Sequence, residues 1–190
     1  MQEAIKYEFE EHLKISISTM ESIGNSLEDA AKICIECLKK GGKILIFGNG
    51  GSAADAQHIA AELVSRYKVD RKALGAIALS TDSSILSAIG NDDGFDNVFS
   101  RQIEALAKPG DVALGISTGG TSLNVVKALS TANLKNCRTI GLSGRTGGDF
   151  NQICEVNIIV PAEDTPRIQE MHILIGHTIC QLIDQAFSDG

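Results

Sequence analysis

The chain has 190 residues, 43% of them apolar and 22% charged, a globular balance that suits one domain with a substantial core. Its net charge is −7 with acidic and basic residues interspersed, which argues against a broad phosphate-backbone footprint and so against nucleic acid as a partner. With no Trp and only 4% aromatics, the core must be built from Ile, Leu, Val and Ala.

The opening stretch MQEAIKYEFEEHLK is charged and amphipathic, without the basic and apolar regions of a secretory signal. No apolar run approaches the roughly 18 residues that span a bilayer, so no membrane partner is expected. Five Cys, an odd count, read most simply as reduced thiols in a cytoplasm. Residues 2–23 and 26–40 are expected as two helices. The first carries Ile5, Phe9, Leu13 and Ile17 on one face; the second carries Ala30, Ile33, Cys37 and Leu38 and stops at Gly41-Gly42. The apolar face of the first helix needs a surface to cover, either its own domain or a second copy of the chain. Cys34 and Cys37 form a C-x-x-C inside the second helix, where packing explains them better than redox chemistry. These helices (residues 1–40) are expected to serve oligomer packing, and residues 41–190 to form the ligand-binding unit of what is structurally one domain.

After residue 40 the period changes. KILIFG (43–48) is a short apolar run ending in glycine, as for a buried strand, and a helix follows over about 52–66. GAIALS (75–80) is a second strand. Residues 83–90 and 96–107 are expected as helices, split by a turn at Asn91-Asp92-Asp93-Gly94. DVALGIS (111–117) is a third strand, followed by a helix at 121–134. CRTIGLSG (137–144) is a fourth strand, EVNIIVP (155–161) a fifth, and the last helix spans about 166–187. Strands of buried type alternating with helices predict an α/β fold, a five-stranded parallel sheet covered on both faces. Ligands of such sheets bind at the carboxyl ends of the strands. Three of those ends carry glycines with hydroxyl or amide groups: GNGGS (48–52), STGGTS (117–122) and SGRTGG (143–148).

STGGTS follows a strand and opens a helix. Ser117, Thr118, Thr121 and Ser122 supply hydroxyls, Gly119 and Gly120 let a ligand approach the backbone, and the helix N-terminus adds free N–H groups. That is a phosphate cradle needing no Lys; the plainer reading is a helix cap with turn glycines. GNGGS is neither a dinucleotide fingerprint, since the third glycine is missing, nor a Walker loop, since no Gly-Lys-Ser/Thr occurs. A small sugar or sugar phosphate fits it better, bonded by Asn49 and the amides of Gly50 and Gly51. His58 and Glu62 stand four apart on the helix leaving this loop, hence on one face. Imidazole plus carboxylate suits zinc, whereas an isolated pair reads equally as a surface ion pair or a core His. In the last helix, RIQEMHILIGHTICQLID places His177 in an apolar surround unusual for an idle imidazole; His172 reads as structural, and Gln169 and Glu170 as possible caps of the first turn.

Taken together, GNGGSAADAQH-x-x-AE, GNDDGFDNVFSRQIEA, ISTGGTS and RIQEMH-x(4)-H resemble the bacterial phosphoheptose isomerases, the sedoheptulose 7-phosphate isomerases of the sugar isomerase (SIS) domain family. The likeness runs from about residue 4 to 187. It implies a doubly wound SIS-type sheet and a homotetramer with sites at subunit interfaces. It implies one Zn²⁺ per subunit on His58, Glu62, Gln169 and His177. It implies substrate contacts from Asn49, Gly50 and Gly51, from Asn91 and Asp92, from Ser117, Thr118, Gly119 and Ser122, and from Gln169. Family members often carry Ser where Gly119 stands; the hydroxyl is lost here, the backbone N–H is not. The implied reaction converts sedoheptulose 7-phosphate to D-glycero-D-manno-heptose 7-phosphate through an enediol, with Glu62 as base and His177 as acid; Asp55 and Gln57, which flank the site on the helix of Glu62, read as supporting groups. The resemblance implies a product that feeds heptose precursors of lipopolysaccharide, capsule or another glycan.

Gln169 and His177 lie eight apart, hence roughly 12 Å along one straight helix with an angular offset of about 80°. Either the two reach one ion from opposite directions at near full extension or the ligands come from more than one copy of the chain, and completion of at least part of the site across a subunit interface is expected. The rival of a different class is a non-catalytic SIS-fold regulator that binds the replication initiator DnaA. Such regulators resemble the chain, RIQEMH included, but lack the Glu and second His that stand here as Glu62 and His177.

Overall fold

The computed structural model describes residues 1–188. Two helices lead, α1 (Gln2–Ser22) and α2 (Gly24–Lys39). The α/β unit then runs β1 (Ile44–Gly48), α3 (Gly51–Val64), β2 (Ala76–Ala78), α4 (Ser83–Asp92), a 3-10 turn at Phe95–Asn97, α5 (Ser100–Leu106), β3 (Val112–Ile116) and α6 (Leu123–Leu134). It closes with β4 (Arg138–Gly144), α7 (Phe150–Ile153), β5 (Val156–Val160) and α8 (Thr165–Phe187).

The five strands are all parallel, in the order β2-β1-β3-β4-β5. Every residue of β1 and β3 is buried, which is why both read as unbroken apolar runs rather than alternating ones. Pleating still sorts them. Ile44, Ile46, Val112, Leu114 and Ile116 face a core built with α2, α3 and α8, while Leu45, Phe47 and Ala113 face a second core built with α5 and α6. From β1 the chain winds outward to β2, then returns to β1's other side for β3, so the two crossovers put their helices on opposite faces. The carboxyl ends of β1 and β3 therefore flank the topological switch point, where such sheets bind ligands.

Two local expectations are corrected. Asn91 and Asp92 do not lie in a turn: α4 continues through Asp92, Asp93 N still donates to the Ile89 carbonyl at 2.8 Å, and the chain reverses only at Gly94, whose φ is 84°. A helix ends where glycine can take the left-handed angle, and here that residue is four beyond the predicted last helical residue. The loop after β4 also contains α7, a single turn anchored by the fully buried Phe150. Four residues are too few to leave a periodic signal.

α2 belongs to the first core, burying Ala30, Ile33, Cys34, Cys37 and Leu38; both cysteines pack there as expected. α1 differs. Its one buried residue is Thr19, and the predicted apolar face lies open, with Phe9 70% and Leu13 60% exposed. Polar contacts hold its other side: His12 pairs with Glu170 at 2.8 Å, and Arg167 bonds the Glu8 carboxylate at 3.0 Å.

Candidate active site and metal centre

At the switch point the loops after β1 and β3 are joined by a reciprocal amide pair. Asn49 Nδ2 donates to Asn124 Oδ1 and Asn124 Nδ2 to Asn49 Oδ1, both at 2.9 Å. Asn49 is thus held rigidly at the rim. Gly50 follows at φ 54°, an angle natural only to glycine, and Gly51 opens α3. Gly51 also makes room: a Cβ there would lie 2.6 Å from the Gln169 amide nitrogen. Gln169 of α8 is therefore laid over the glycine turn.

The β3 loop carries the hydroxyls. Ser117 Oγ and Ser122 Oγ are 2.9 Å apart, Ser117 buried and Ser122 half-buried, with Thr118 and Gly119 half-buried between them. Ser122 occupies the cap position of α6, yet its side chain makes no cap bond to the helix. The plainer reading, a capping motif, would spend a hydroxyl on the first-turn N–H groups. Instead the hydroxyls pair with each other and leave that turn ready for an anion. The loop after β4 closes the floor, with Asp149 N donating to the Gly120 carbonyl at 3.0 Å and the Gly120 backbone so near Gly147 that a Cβ would lie 2.1 Å from its carbonyl oxygen.

Two helical turns further along α3 lies the second part of the site. His58 Nε2 is 3.1 Å from Glu62 Oε1 and 3.2 Å from His177 Nε2, and one donor atom from each of the three residues fits within a span of 4.8 Å. The cause is the seam between α3 and α8. The two helices run parallel and approach closely at Gly176, where a Cβ would lie 2.5 Å from Ile59 Cδ1. With residue 59 seated on residue 176, the neighbours His58 and His177 meet. Burial holds His177 below the ordinary imidazole pKa, helped by neighbouring His58 and Lys68 and opposed by Glu62.

Three more residues, with no local sequence signal, build this end. The Tyr67 ring stacks on His177, centroids 5.3 Å apart and planes 23° apart. Its loop is pinned by Asp184, which accepts from Lys68 N at 2.8 Å, Val69 N at 3.1 Å and Arg71 Nε at 2.7 Å. Arg71 in turn donates to the carbonyls of Glu62 and Leu63, both at 3.0 Å, and so fixes the last turn of α3. Arg71 and Asp184 are buried and 113 residues apart, a partnership that no motif announces.

Of the predicted site residues, the structure gathers His58, Glu62 and His177 at one end of the α3–α8 seam. It gathers Asn49, Gly50, Gly51 and Gln169 at the other, beside Ser117, Thr118, Gly119 and Ser122. Asn91 and Asp92 lie apart at the exposed end of α4, where Asn91 Nδ2 donates to Asp92 Oδ1 at 2.7 Å. Asp55 sits on α3 between the two ends. One of its carboxylate oxygens is buried without a hydrogen-bond partner, and burial pushes its pKa up to about 6 against the pull of His58. His172 is structural as expected: it is fully buried, and its Nε2–H donates to the Ser143 carbonyl at 3.0 Å. Glu170 does not cap α8; it bonds His12 and, at 2.6 Å, Arg167.

The SIS domain family matches residues 8–144. The chain is 57% identical to the phosphoheptose isomerase of Aliarcobacter butzleri over 188 residues, covering 99% of this chain and 100% of that one. It is likewise 57% identical to phosphoheptose isomerase 1 of Campylobacter jejuni, covering 96% and 98%. Among solved structures, the phosphoheptose isomerase GmhA of Neisseria gonorrhoeae superposes with a TM-score of 0.92 at 44% identity, covering 97% of this chain and 98% of that one. A phosphoheptose isomerase from Francisella tularensis superposes at 0.93 and 35% identity with the same coverage. A regulator that only binds DnaA has no use for a converged His58–Glu62–His177 cluster, and these relatives are isomerases. With the fold, the strand-end loops and full-length identity in agreement, the chain belongs to the phosphoheptose isomerases of the SIS domain family and is an isomerase.

Proposed function

We propose that the protein converts sedoheptulose 7-phosphate to D-glycero-D-manno-heptose 7-phosphate, the first step of heptose precursor biosynthesis, in the cytoplasm. The observation that carries this reading is the convergence of His58, Glu62 and His177 one seam away from a hydroxyl-lined anion cradle. A sugar phosphate has those two ends: a phosphate for the cradle and a carbonyl carbon for the reactive groups.

The three side chains fit zinc. Two ligands at 2.0–2.1 Å from a tetrahedral ion stand about 3.3 Å apart. The His58–His177 and His58–Glu62 separations are 3.2 and 3.1 Å. Gln169, the fourth ligand that the resemblance implies, lies against Gly51 at the other end of the seam, so another subunit would supply it to this cluster. When bound, zinc supplies Lewis-acid stabilisation of the developing oxyanion and a template for the sugar hydroxyls.

The protein's own groups carry the protons. The Glu62 carboxylate takes a proton from C1 as His177 protonates the C2 oxygen, giving the enediol. Glu62 then returns its proton to C2 while His177 takes one from the C1 hydroxyl, giving the aldose with no net change in either residue. Asn49 and the amides of Gly50 and Gly51 hold the sugar; Ser117, Thr118, Gly119 and Ser122 hold the phosphate, and Asn91 and Asp92 are further substrate contacts once the assembly forms.

The working unit is a homotetramer packed through the N-terminal helices. The support is the open face of α1 and an apolar groove beside it, lined by Met20, Ile23, Leu27, Leu174 and Ile175. The test of the function is turnover of sedoheptulose 7-phosphate by the purified protein, with metal analysis and chelator treatment alongside. Loss on chelation and recovery with zinc are expected; chelator-resistant turnover excludes the metal, and no turnover excludes the reaction. For the assembly, Phe9→Glu is expected to give a folded, inactive monomer. An active monomer overturns the shared site.

A further inference from the structure

The cradle for the phosphate is built from neutral groups, yet a phosphate monoester carries nearly two negative charges. We infer that Arg145, in the turn after β4, supplies the missing cation and binds the substrate phosphate alongside the β3 loop. This rests on the sugar-phosphate reading above and adds to it a residue outside the STGGTS stretch.

Four observations place Arg145 there. First, the β4 turn is locked against the β3 loop by the Asp149–Gly120 bond and the contact between Gly120 and Gly147, so its position relative to the cradle is fixed. Second, the Arg145 guanidinium reaches the loop itself: Nη1 is 3.6 Å from where a Cβ on Gly119 would stand. Third, packing does not demand glycine at 119. Its φ is not in the left-handed region, and a Cβ would meet only Thr121 Oγ1, at 3.4 Å, and Arg145 Nη1. The absent side chain leaves the guanidinium facing the backbone of the cradle. Fourth, Arg145 is held at φ 57°, an angle that costs a residue with a Cβ about 1 kcal/mol.

Strain of that kind gathers where a side chain is aimed at a task. The structural alternative, a strap from the turn to the next loop, is weakly supported. The guanidinium reaches the Glu163 carbonyl at 3.4 Å and Thr165 Oγ1 at 3.5 Å, both at the long limit of hydrogen bonding, and neither partner is a carboxylate. A planar, permanently charged fork with slack neutral partners is suited to a phosphate.

The test uses inorganic phosphate as the probe, so that it does not depend on turnover. Its affinity is measured by calorimetry at fixed ionic strength for the wild type, Arg145→Met and Arg145→Lys. The expected result is about a tenfold weakening in Arg145→Met and substantial recovery in Arg145→Lys, with the unliganded melting temperature little changed. In turnover, KM for the sugar phosphate rises by a similar factor while kcat stays within about twofold, the mark of a contact made equally in ground and transition states. Equal phosphate affinity in the wild type and Arg145→Met overturns the inference, as does an absence of phosphate binding by both. If the wild type turns over the sugar and Arg145→Met matches it, the arginine fails and the function stands. If phosphate binding depends on Arg145 but no isomerisation occurs, the arginine stands and the function fails. Should Arg145→Met unfold, Arg145→Gln replaces it in the same comparison.

Discussion

The two ends of the α3–α8 seam are made differently. At the carboxyl edge of the sheet, the cradle consists of backbone amides, small residues and hydroxyls carried on glycine-rich loops, each a short contiguous stretch of chain. At the other end, the reactive cluster consists of titratable side chains from two helices, His58 and His177 being 119 residues apart. In the proposed reaction the first would hold the phosphate, and the second would move protons and carry the metal. On that reading binding and chemistry are separable, and variants at the two ends should divide along that line.

Glu62→Gln should have the largest effect. Removing the proposed base while keeping the shape is expected to lower kcat about 10³-fold with KM little altered. Direct binding of the sugar phosphate must survive. Lost binding instead would mean that the two ends are one unit.

Next in size is a pH effect at a buried residue of α8 that lies between the two ends in sequence. His172 joins α8 to the end of β4, and burial holds its pKa down at about 4, with its bond to Ser143 opposing the shift. The unfolded value is near 6.5, so between pH 6.5 and 4 the unfolded chain binds the proton that the folded one refuses. The stabilisation is whole above pH 6.5 and is lost as pH falls through 4, on the order of 3 kcal/mol. Asp55, raised to about 6, works in the opposite sense, stabilising most at low pH and losing that contribution as pH rises through 6. The measurement is thus a difference: denaturant unfolding of the wild type and His172→Gln across this range, with the variant losing less on acidification. Parallel curves would remove His172 from the account.

Ser122→Ala acts at the cradle alone. About a tenfold rise in KM with kcat nearly unchanged is expected from steady-state kinetics, and a fall in kcat equal to that of Glu62→Gln would erase the division. Tyr67→Leu is the smallest and sharpens the other side. Without the stacked ring His177 is less well oriented, and zinc affinity, read by chelator competition, should fall several-fold, with Tyr67→Phe near wild type. Unchanged affinity in Tyr67→Leu would make the stacking incidental.

Legibility in the sequence followed the same division. GNGGS and STGGTS declared themselves because a strand end, a glycine turn and a helix start are written consecutively. The strands were legible because burial on both faces demands unbroken apolar runs. The end of α4 was misplaced because Asn91 and Asp92 have turn chemistry in isolation, whereas the helix continues until Gly94 permits reversal. His58 and Glu62 were visible as a pair at helical spacing, but the pair by itself fits a surface ion pair equally well. Arg71, Asp184 and Tyr67 gave no signal, since nothing local relates a loop after α3 to the end of α8.

By itself the amino-acid sequence determined the alternating α/β pattern, the parallel sheet and the glycine-rich strand ends, because each follows from periodicity and turn chemistry over a few neighbouring residues. The tertiary structure decided what those pieces do together. It set the strand order that opens a crevice between β1 and β3, seated Ile59 on Gly176 so that His58 meets His177, and laid Arg145 against Gly119. Such meetings depend on the packing of distant segments, and the free energy that fixes them belongs to the whole core rather than to any stretch of chain.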